Sequence, residues 1–144
     1  MTTPRILRLL AVDPGSRRIG IAVSDELGMF AHARPALAGG DIAAVAEAIA
    51  RLVAAEGIDE VIVGMPLSLS GSDTAQTADA RTFAAELRRR LTVPVTMWDE
   101  RLSSVEAGRS VKGARRRKSG ELDSAAAAIV LQAVLESRRA RAHS

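Results

Sequence analysis

The N-terminal part of the chain alternates between apolar and small or polar positions, the pattern of half-buried strands. Residues 7–12 form an apolar run that stops at Asp13-Pro14-Gly15, which predicts a strand followed by a tight turn. Apolar residues then recur at every second position over residues 19–23, so a second strand is predicted to pair back on the first. Residues 29–37 predict a third antiparallel strand.

Helical spacing replaces the alternation further along the chain. Asp41 is a suitable N-cap, apolar residues recur at intervals of three and four up to Glu56, and Gly57 ends the predicted helix. The later elements are predicted as strand, helix, strand, short helix and long helix, over residues 60–65, 72–91, 95–98, from 103 onward and 121–139. The order β-β-β-α-β-α-β-α-α indicates an α/β fold, a mixed sheet of three antiparallel and then two parallel strands with helices on both faces.

Length and composition limit the class of protein. The chain has 144 residues, which suits a single domain. Its core is expected over about residues 7–136, and residues 137–144 are expected to form a mobile tail. The absence of cysteine excludes disulfides and thiolate metal sites. Because no apolar run reaches the roughly 20 residues that cross a bilayer and the N-terminal run is too short for a signal peptide, we expect a cytoplasmic protein without a membrane partner.

Charge is distributed unevenly along the chain. Residues 1–72 carry 6 basic and 8 acidic side chains, whereas residues 73–144 carry 14 and 9. The basic excess is concentrated in residues 88–90, 112–118 and 138–141. Clustered positive charge favours a polyanionic partner, although basic runs are often only solvated surface.

Three carboxylates stand at the ends of predicted elements. Asp13 ends the first strand, Glu100 follows the last strand, and Asp123 lies at the start of the final helix. If the first and last strands are parallel neighbours, Asp13 and Glu100 open on the same sheet edge and the final helix brings Asp123 to them. Three like charges are tolerated together mainly around a divalent cation, and oxygen ligands without His or Cys favour Mg²⁺ or Mn²⁺.

Each of these carboxylates also has a purely structural interpretation. Asp13 would accept backbone hydrogen bonds in its turn, and Asp123 would favour a helix N-terminus. Glu100 would pair with Arg101 or Arg109 at the surface. Spacing alone does not decide between the two interpretations.

Four segments of the chain carry recognisable motifs: Asp13 to Asp25, Gly64-Met65-Pro66 with Gly71-Ser72, Asp99 to Ser104, and Asp123-Ser124-Ala125-Ala126 continuing to Gln132. In this order they resemble the YqgF (RuvX) family of RNase H-like proteins, over about residues 7 to 136. Two departures occur. Met65 stands where Leu is commoner, a volume-conserving change, and residues 72–76 differ from the family pattern, which concerns the geometry of that loop.

The resemblance implies an RNase H-like fold and a nuclease that processes the 5′ end of pre-16S ribosomal RNA. By motif position, the catalytic and metal-binding carboxylates are Asp13, Glu100 and Asp123, and Asp99 is a supporting residue rather than a ligand. The corresponding hypothesis is attack by a metal-activated water, with two Mg²⁺ or Mn²⁺ ions about 3.5–4 Å apart and Asp13 bridging them.

Contacts to nucleic-acid phosphates are predicted from the turn after Asp13, from the residue after Glu100 and from the basic run before Asp123. The predicted residues are Arg17, Arg18, Arg101, Lys112, Arg115, Arg116, Arg117 and Lys118. Arg101 has a second interpretation, in which it only orients Glu100. The expected partner is precursor rRNA, with structured or junction DNA as the alternative, and the sequence leaves monomer or homodimer open.

Three other functions compete with the rRNA nuclease. Some members of the family are described as Holliday junction resolvases, which act in DNA recombination and repair. A non-catalytic RNA-binding factor in ribosome assembly would need the basic surface but no metal. ATP-dependent phosphotransfer on the related actin and sugar-kinase fold generally requires two such domains, and this chain supplies one.

Overall fold

Five strands form one mixed sheet in the computed structural model, which describes residues 5–14, 18–65, 75–102 and 124–142. The strands are β1 (Leu9–Pro14), β2 (Arg18–Ser24), β3 (Ala31–Ala38), β4 (Glu60–Met65) and β5 (Val95–Asp99). Their order across the sheet is β3-β2-β1-β4-β5. The first three are antiparallel to their neighbours, and β4 and β5 run parallel to β1. The predicted mixed sheet is therefore confirmed.

Three helices and one short turn complete the described structure. They are α1 (Ile42–Glu56), α2 (Ala75–Arg90), α3 (Ala125–Ala142) and a 3₁₀ turn at Glu100–Leu102. The predicted ends of α1 are confirmed, since the Asp41 carboxylate accepts the Ala43 N–H and Gly57 adopts the left-handed conformation at φ 63°. The short helix predicted from residue 103 lies outside the described residues. No described helix combines the length and the apolar character needed to cross a bilayer.

The two faces of the sheet are buried by different helices. One face carries Leu10, Val12 and Val63 and packs against α1 and α2. The opposite face carries Leu9, Ala11 and Ile62 and packs against α3. Because strand side chains alternate between faces, continuing the series along β1 and β4 puts Asp13 and Gly64 on the α3 side.

Buried hydrogen bonds fix α3 on its face of the sheet. Ser124, immediately before the helix, is fully buried, and its hydroxyl accepts the Ile21 N–H at 2.9 Å, beside a shift in the register between β2 and β3. Gln132 accepts the Ala31 N–H at 2.9 Å and donates to the Met29 carbonyl. Since Ile21 pairs with Val12, the start of α3 is held close to the end of β1.

Two boundaries differ from the sequence prediction. The final helix was predicted to end at residue 139, but α3 continues to Ala142, and within its last turns Arg138 makes two 2.8 Å hydrogen bonds to the buried Glu60 carboxylate. At the other terminus, β1 begins at Leu9 rather than at residue 7. The Arg8 N–H donates to the Asp59 carboxylate at 2.7 Å instead of to a strand.

Candidate active site

The carboxyl ends of three parallel strands bring Asp13 and Glu100 to one edge of the sheet. Val12 on β1 pairs with Val63 on β4, so the next residues along, Asp13 and Gly64, lie side by side. On the other side of β4, the pairing continues to Met65 and Asp99, the last residue of β5. Glu100 is therefore the first residue beyond β5, and its side chain folds back over β4.

Gly64 provides the space that the Glu100 carboxylate occupies. A Cβ atom added at residue 64 would lie 2.8 Å from Glu100 Oε1 and 3.4 Å from Glu100 Cγ. The first distance is shorter than a real Cβ contact, so a side chain at this position would displace the Glu100 carboxylate. A glycine inside the apolar strand sequence EVIVGM commonly marks the close approach of another group.

The Asp13 and Glu100 carboxyl groups are joined by a hydrogen bond. Burial of Glu100, this hydrogen bond and the neighbouring negative charges of Asp13 and Asp99 together raise the pKa of Glu100 to about 8. At neutral pH the metal-free protein therefore holds a proton on Glu100, beside Asp13. A site of this kind binds a cation in exchange for the proton.

Arg101 is held by Asp99 rather than by Glu100. Its guanidinium donates to both oxygens of the Asp99 carboxylate, with an Nη2–Oδ2 distance of 2.7 Å, and its backbone N–H donates to Oδ1 at 2.9 Å. The hydrogen bonds with Arg101 lower the pKa of Asp99. The surface pairing of Glu100 with Arg101 is thus replaced by an Asp99–Arg101 pair, and Arg109 lies outside the described residues.

The structure brings together only part of the predicted site. Asp13 and Glu100 meet, and Arg18 is the exposed first residue of β2. The remaining predicted site residues lie outside the described ranges: Arg17, Lys112, Arg115, Arg116, Arg117, Lys118 and Asp123. Their roles stay predictions.

The basic run at residues 88–90 is engaged in contacts within the protein. Arg88 donates twice to the Val95 carbonyl oxygen, at 3.2 and 2.8 Å, on β5. Arg89 and Arg90 both pair with Glu86 at 2.8 Å on the same helix. This part of the basic excess therefore serves α2 and its packing.

The two described carboxylates fit a hard divalent cation. They present oxygen donors on one sheet edge, and a cation would relieve the repulsion that now keeps a proton between them. Within the described ranges, no group of three or more metal-ligating side chains occurs.

Sequence reasoning missed two residues that build this site. Gly64 had a signal, because it interrupts a strand that is otherwise apolar. Ser124 also had one, because a small hydroxyl residue directly precedes the buried, alanine-rich start of α3. Neither signal says which group approaches the glycine or which N–H the hydroxyl accepts.

Comparisons with known proteins point to one family. The family model RuvX, described as a Holliday junction resolvase, matches residues 7–137. The chain is 43% identical over 134 residues to a "Putative pre-16S rRNA nuclease" of Koribacter versatilis, covering 91% of this chain and 88% of the relative. A relative of the same name from Halothermothrix orenii is 39% identical over 132 residues, covering 90% and 94%.

A solved structure has the same fold. The RuvC protein of T. thermophilus, in complex with a Holliday junction substrate, superposes with a TM-score of 0.61 at 14% identity and covers 93% of this chain and 96% of its own. At this identity the likeness concerns the fold alone. It confirms the RNase H-like architecture.

Replacing Gly64 by Ala tests the contact with Glu100. The added methyl group meets the mobile end of the Glu100 side chain, so we expect the protein to fold normally while the carboxyl group moves towards solvent and away from Asp13. The pKa of Glu100, followed by the ¹³C shift of its carboxyl carbon in NMR, should then fall from about 8 towards its ordinary value of 4.5. Met65→Leu, a volume-conserving change at the next residue, is the control and should leave that pKa unchanged.

The stability of the metal-free protein should fall as the pH rises, because of Glu100. A folded-state pKa above the unfolded value favours the protonated form in the native protein, so this contribution is complete below pH 4.5 and is lost as pH rises through about 8. Glu100→Gln stays neutral and should melt increasingly above wild type between these limits, by about 2–4 °C for each kcal/mol relieved. Melting curves in EDTA measure the difference. An equal offset at low and high pH would contradict the assignment.

Proposed function

The chain belongs to the RuvX family, and on this basis we propose that it is a metal-dependent nuclease that processes the 5′ end of pre-16S rRNA. The observation that carries the proposal is the meeting of the Asp13 and Glu100 carboxyl groups at the carboxyl edge of parallel strands. The name of the two relatives described above, "Putative pre-16S rRNA nuclease", supports the choice of reaction and substrate.

Asp13 and Glu100 would hold the divalent cations, Mg²⁺ or Mn²⁺, and Asp123 is proposed as the third ligand. When bound, such cations supply a Lewis acid that makes water nucleophilic at neutral pH and stabilises the leaving oxygen of a phosphodiester. We propose that the site binds two such ions. The protein contributes an acidic pair whose oxygens already face each other.

The chain's own residues prepare this site in three ways. Glu100 carries a proton in the metal-free protein, and it must release that proton to become a ligand. Gly64 keeps the space above β4 open for the Glu100 carboxylate. Ser124 holds the start of α3 on the Ile21 N–H, so the chain enters this helix on the same face of the sheet as Asp13.

Charge supports a nucleic-acid substrate at this edge. The described ranges contain 13 basic and 13 acidic residues, so the net positive charge of the chain comes from the remaining segments. Residues 103–123 alone carry 6 basic and 3 acidic side chains. In chain order this segment stands between Leu102, two residues after Glu100, and Ser124. Arg17, Arg18 and the basic residues between Lys112 and Lys118 are proposed to contact the phosphates.

A second function, resolution of Holliday junctions, is favoured by a separate observation. The family model is described as a Holliday junction resolvase, and the RuvC structure with the same fold contains a junction substrate. Symmetric resolution needs two active sites, so a stable homodimer would favour this function and a monomer would favour rRNA processing.

A cleavage assay with Asp13→Asn tests the nuclease. Wild-type protein with Mn²⁺ or Mg²⁺ should cleave precursor rRNA carrying an extended 5′ end in preference to single strands and four-way junctions. Asp13→Asn should lose cleavage by about a hundredfold or more, since it removes a charged ligand, while it still binds the RNA.

The outcomes of this assay separate the competing functions. EDTA should abolish wild-type cleavage, and Asp25→Asn, a change of the same chemistry in the β2–β3 turn, should leave it intact. Preferential cleavage of junctions would select the resolvase, and RNA binding without cleavage in any metal would select the non-catalytic assembly factor. Full activity of Asp13→Asn would remove Asp13 from the mechanism.

Salt dependence of binding tests the basic segment. If Arg115, Arg116 and Arg117 contact phosphates, replacing all three by Ala should weaken binding and reduce the slope of log affinity against log salt by roughly 2–3 units. In the control variant, Arg51, Arg89 and Arg90 are replaced by Ala. This change removes the same number of charges, but from side chains that pair with Glu47 and Glu86 on α1 and α2. If the two triple variants have equal slopes of log affinity against log salt, residues 115–117 do not contact phosphates and are only solvated surface.

A further inference from the structure

Within the part of the chain that the structure describes, the Asp99 carboxylate accepts its hydrogen bonds from Arg101, two positions along the chain. Arg101 contributes its backbone N–H to Oδ1 at 2.9 Å, its Nε to both oxygens at 3.1 Å, and its Nη2 to Oδ2 at 2.7 Å. The side-chain contacts form a side-on pairing of carboxylate and guanidinium, the most specific geometry for these two groups. Together with the backbone contact, they tie residue 99 to residue 101 at both the main chain and the side chain.

Glu100 is the residue enclosed by this arrangement. Asp99 is fixed by its pairing with Met65 at the end of the sheet, and Arg101 is fixed by Asp99. The 3₁₀ turn that starts at Glu100 has only three residues, which is too short to be stable without outside contacts. The direction in which Glu100 leaves β5 therefore depends on the Asp99–Arg101 contacts.

The position of Glu100 needs such support. Its carboxyl group lies over Gly64, with Oε1 only 2.8 Å from where a Cβ of residue 64 would be. A glutamate side chain on a free backbone would have many other orientations open to it, and ordering it in this one costs conformational entropy. A restraint on the backbone is needed to keep the carboxylate beside Asp13.

We propose that Asp99 is a positioning residue, which closes the turn onto Arg101 and so aims Glu100 across Gly64 at Asp13. The inference rests on the proposed function only in taking Glu100 as a metal ligand. An exposed pair of neighbouring charges commonly contributes little to stability, and that is the competing interpretation of this contact. A second competing interpretation makes Asp99 a ligand in its own right.

Three variants separate these interpretations. Asp99→Ala removes every acceptor for Arg101 and should release the turn. Asp99→Asn keeps an oxygen for the Arg101 N–H and should retain the turn while removing the charge. Glu86→Ala is the control, since it breaks carboxylate–arginine pairs of 2.8 Å on α2, away from the sheet edge.

The first readout needs neither metal nor substrate. Because Glu100 lies directly over Gly64, the amide resonance of Gly64 in a ¹⁵N–¹H spectrum reports whether the carboxyl group is in place. Asp99→Ala should move this resonance towards its position in Glu100→Ala. Asp99→Asn and Glu86→Ala should leave it near the wild-type position. Melting curves of all variants establish that each is folded.

The second readout is the affinity for Mn²⁺ alone, measured by calorimetry or by the EPR signal of the free ion. Asp99→Ala should weaken binding by about tenfold or more, the usual effect of removing a group that orients a ligand. Asp99→Asn should lose clearly less than the Ala variant.

Two results would overturn the proposal. If Asp99→Ala keeps both the Gly64 resonance and the Mn²⁺ affinity of wild type, the contact is only a surface ion pair. If both Asp99 variants lose affinity equally while the Gly64 resonance stays in place, Asp99 acts as a ligand or by its charge. Wild-type protein that fails to cleave RNA would refute the proposed function, whereas the Gly64 resonance would still decide the role of Asp99.

Discussion

The candidate site depends on keeping two carboxyl groups together that would separate in water. Asp13 and Glu100 come from strands that are not adjacent, and β4 between them determines how closely they approach. Because β4 carries Gly64 at that level of the sheet, the Glu100 side chain crosses the strand and reaches Asp13. Any larger residue on β4 would keep the two carboxyl groups apart. The acidic pair is therefore a property of the sheet register as much as of the acids themselves.

The rest of the fold makes this register difficult to change. A slip of one residue along β1 or β4 would exchange the side chains that face α1 and α2 with those that face α3. Polar contacts add to this restraint, since Ser124, Gln132 and Arg138 tie α3 to β2, to β3 with its turn, and to β4. A helix that contacts so many strands at fixed points cannot shift without breaking buried hydrogen bonds. The site thus lies on the most constrained elements of the protein, as precise positioning of ligands requires.

The sequence predicted the sheet well because its signals are local. Alternation, the Asp41 cap and Gly57 specify elements from neighbouring residues alone. The strand ends put Asp13 and Glu100 at the same sheet edge, although β1 and β5 are separated by β4 and are not the neighbours that the prediction assumed. Prediction from the sequence was incomplete where a residue far away in the chain determines the local structure or the side-chain pairing. The final helix runs past residue 139, its predicted end, and near that end Arg138 pairs with Glu60, which is far away in sequence. The pairing of Arg101 with Asp99 rather than Glu100 likewise depends on where the sheet directs Glu100, and the use of Gly64 depends on which side chain crosses it.

Division of charge explains how one small domain would combine an acidic centre with a polyanionic substrate. Phosphates are repelled by carboxylates, so positive charge must lie near the acids without neutralising them. Within the described ranges basic and acidic residues are equal in number, and many arginines, such as Arg88, Arg90 and Arg138, are engaged in internal contacts. The net positive charge of the chain therefore comes from the remaining residues, most of it from residues 103–123, which follow the Glu100 turn in the chain and precede Ser124. A substrate attracted by those residues meets the acidic pair, and bound cations would then turn its repulsion into attraction.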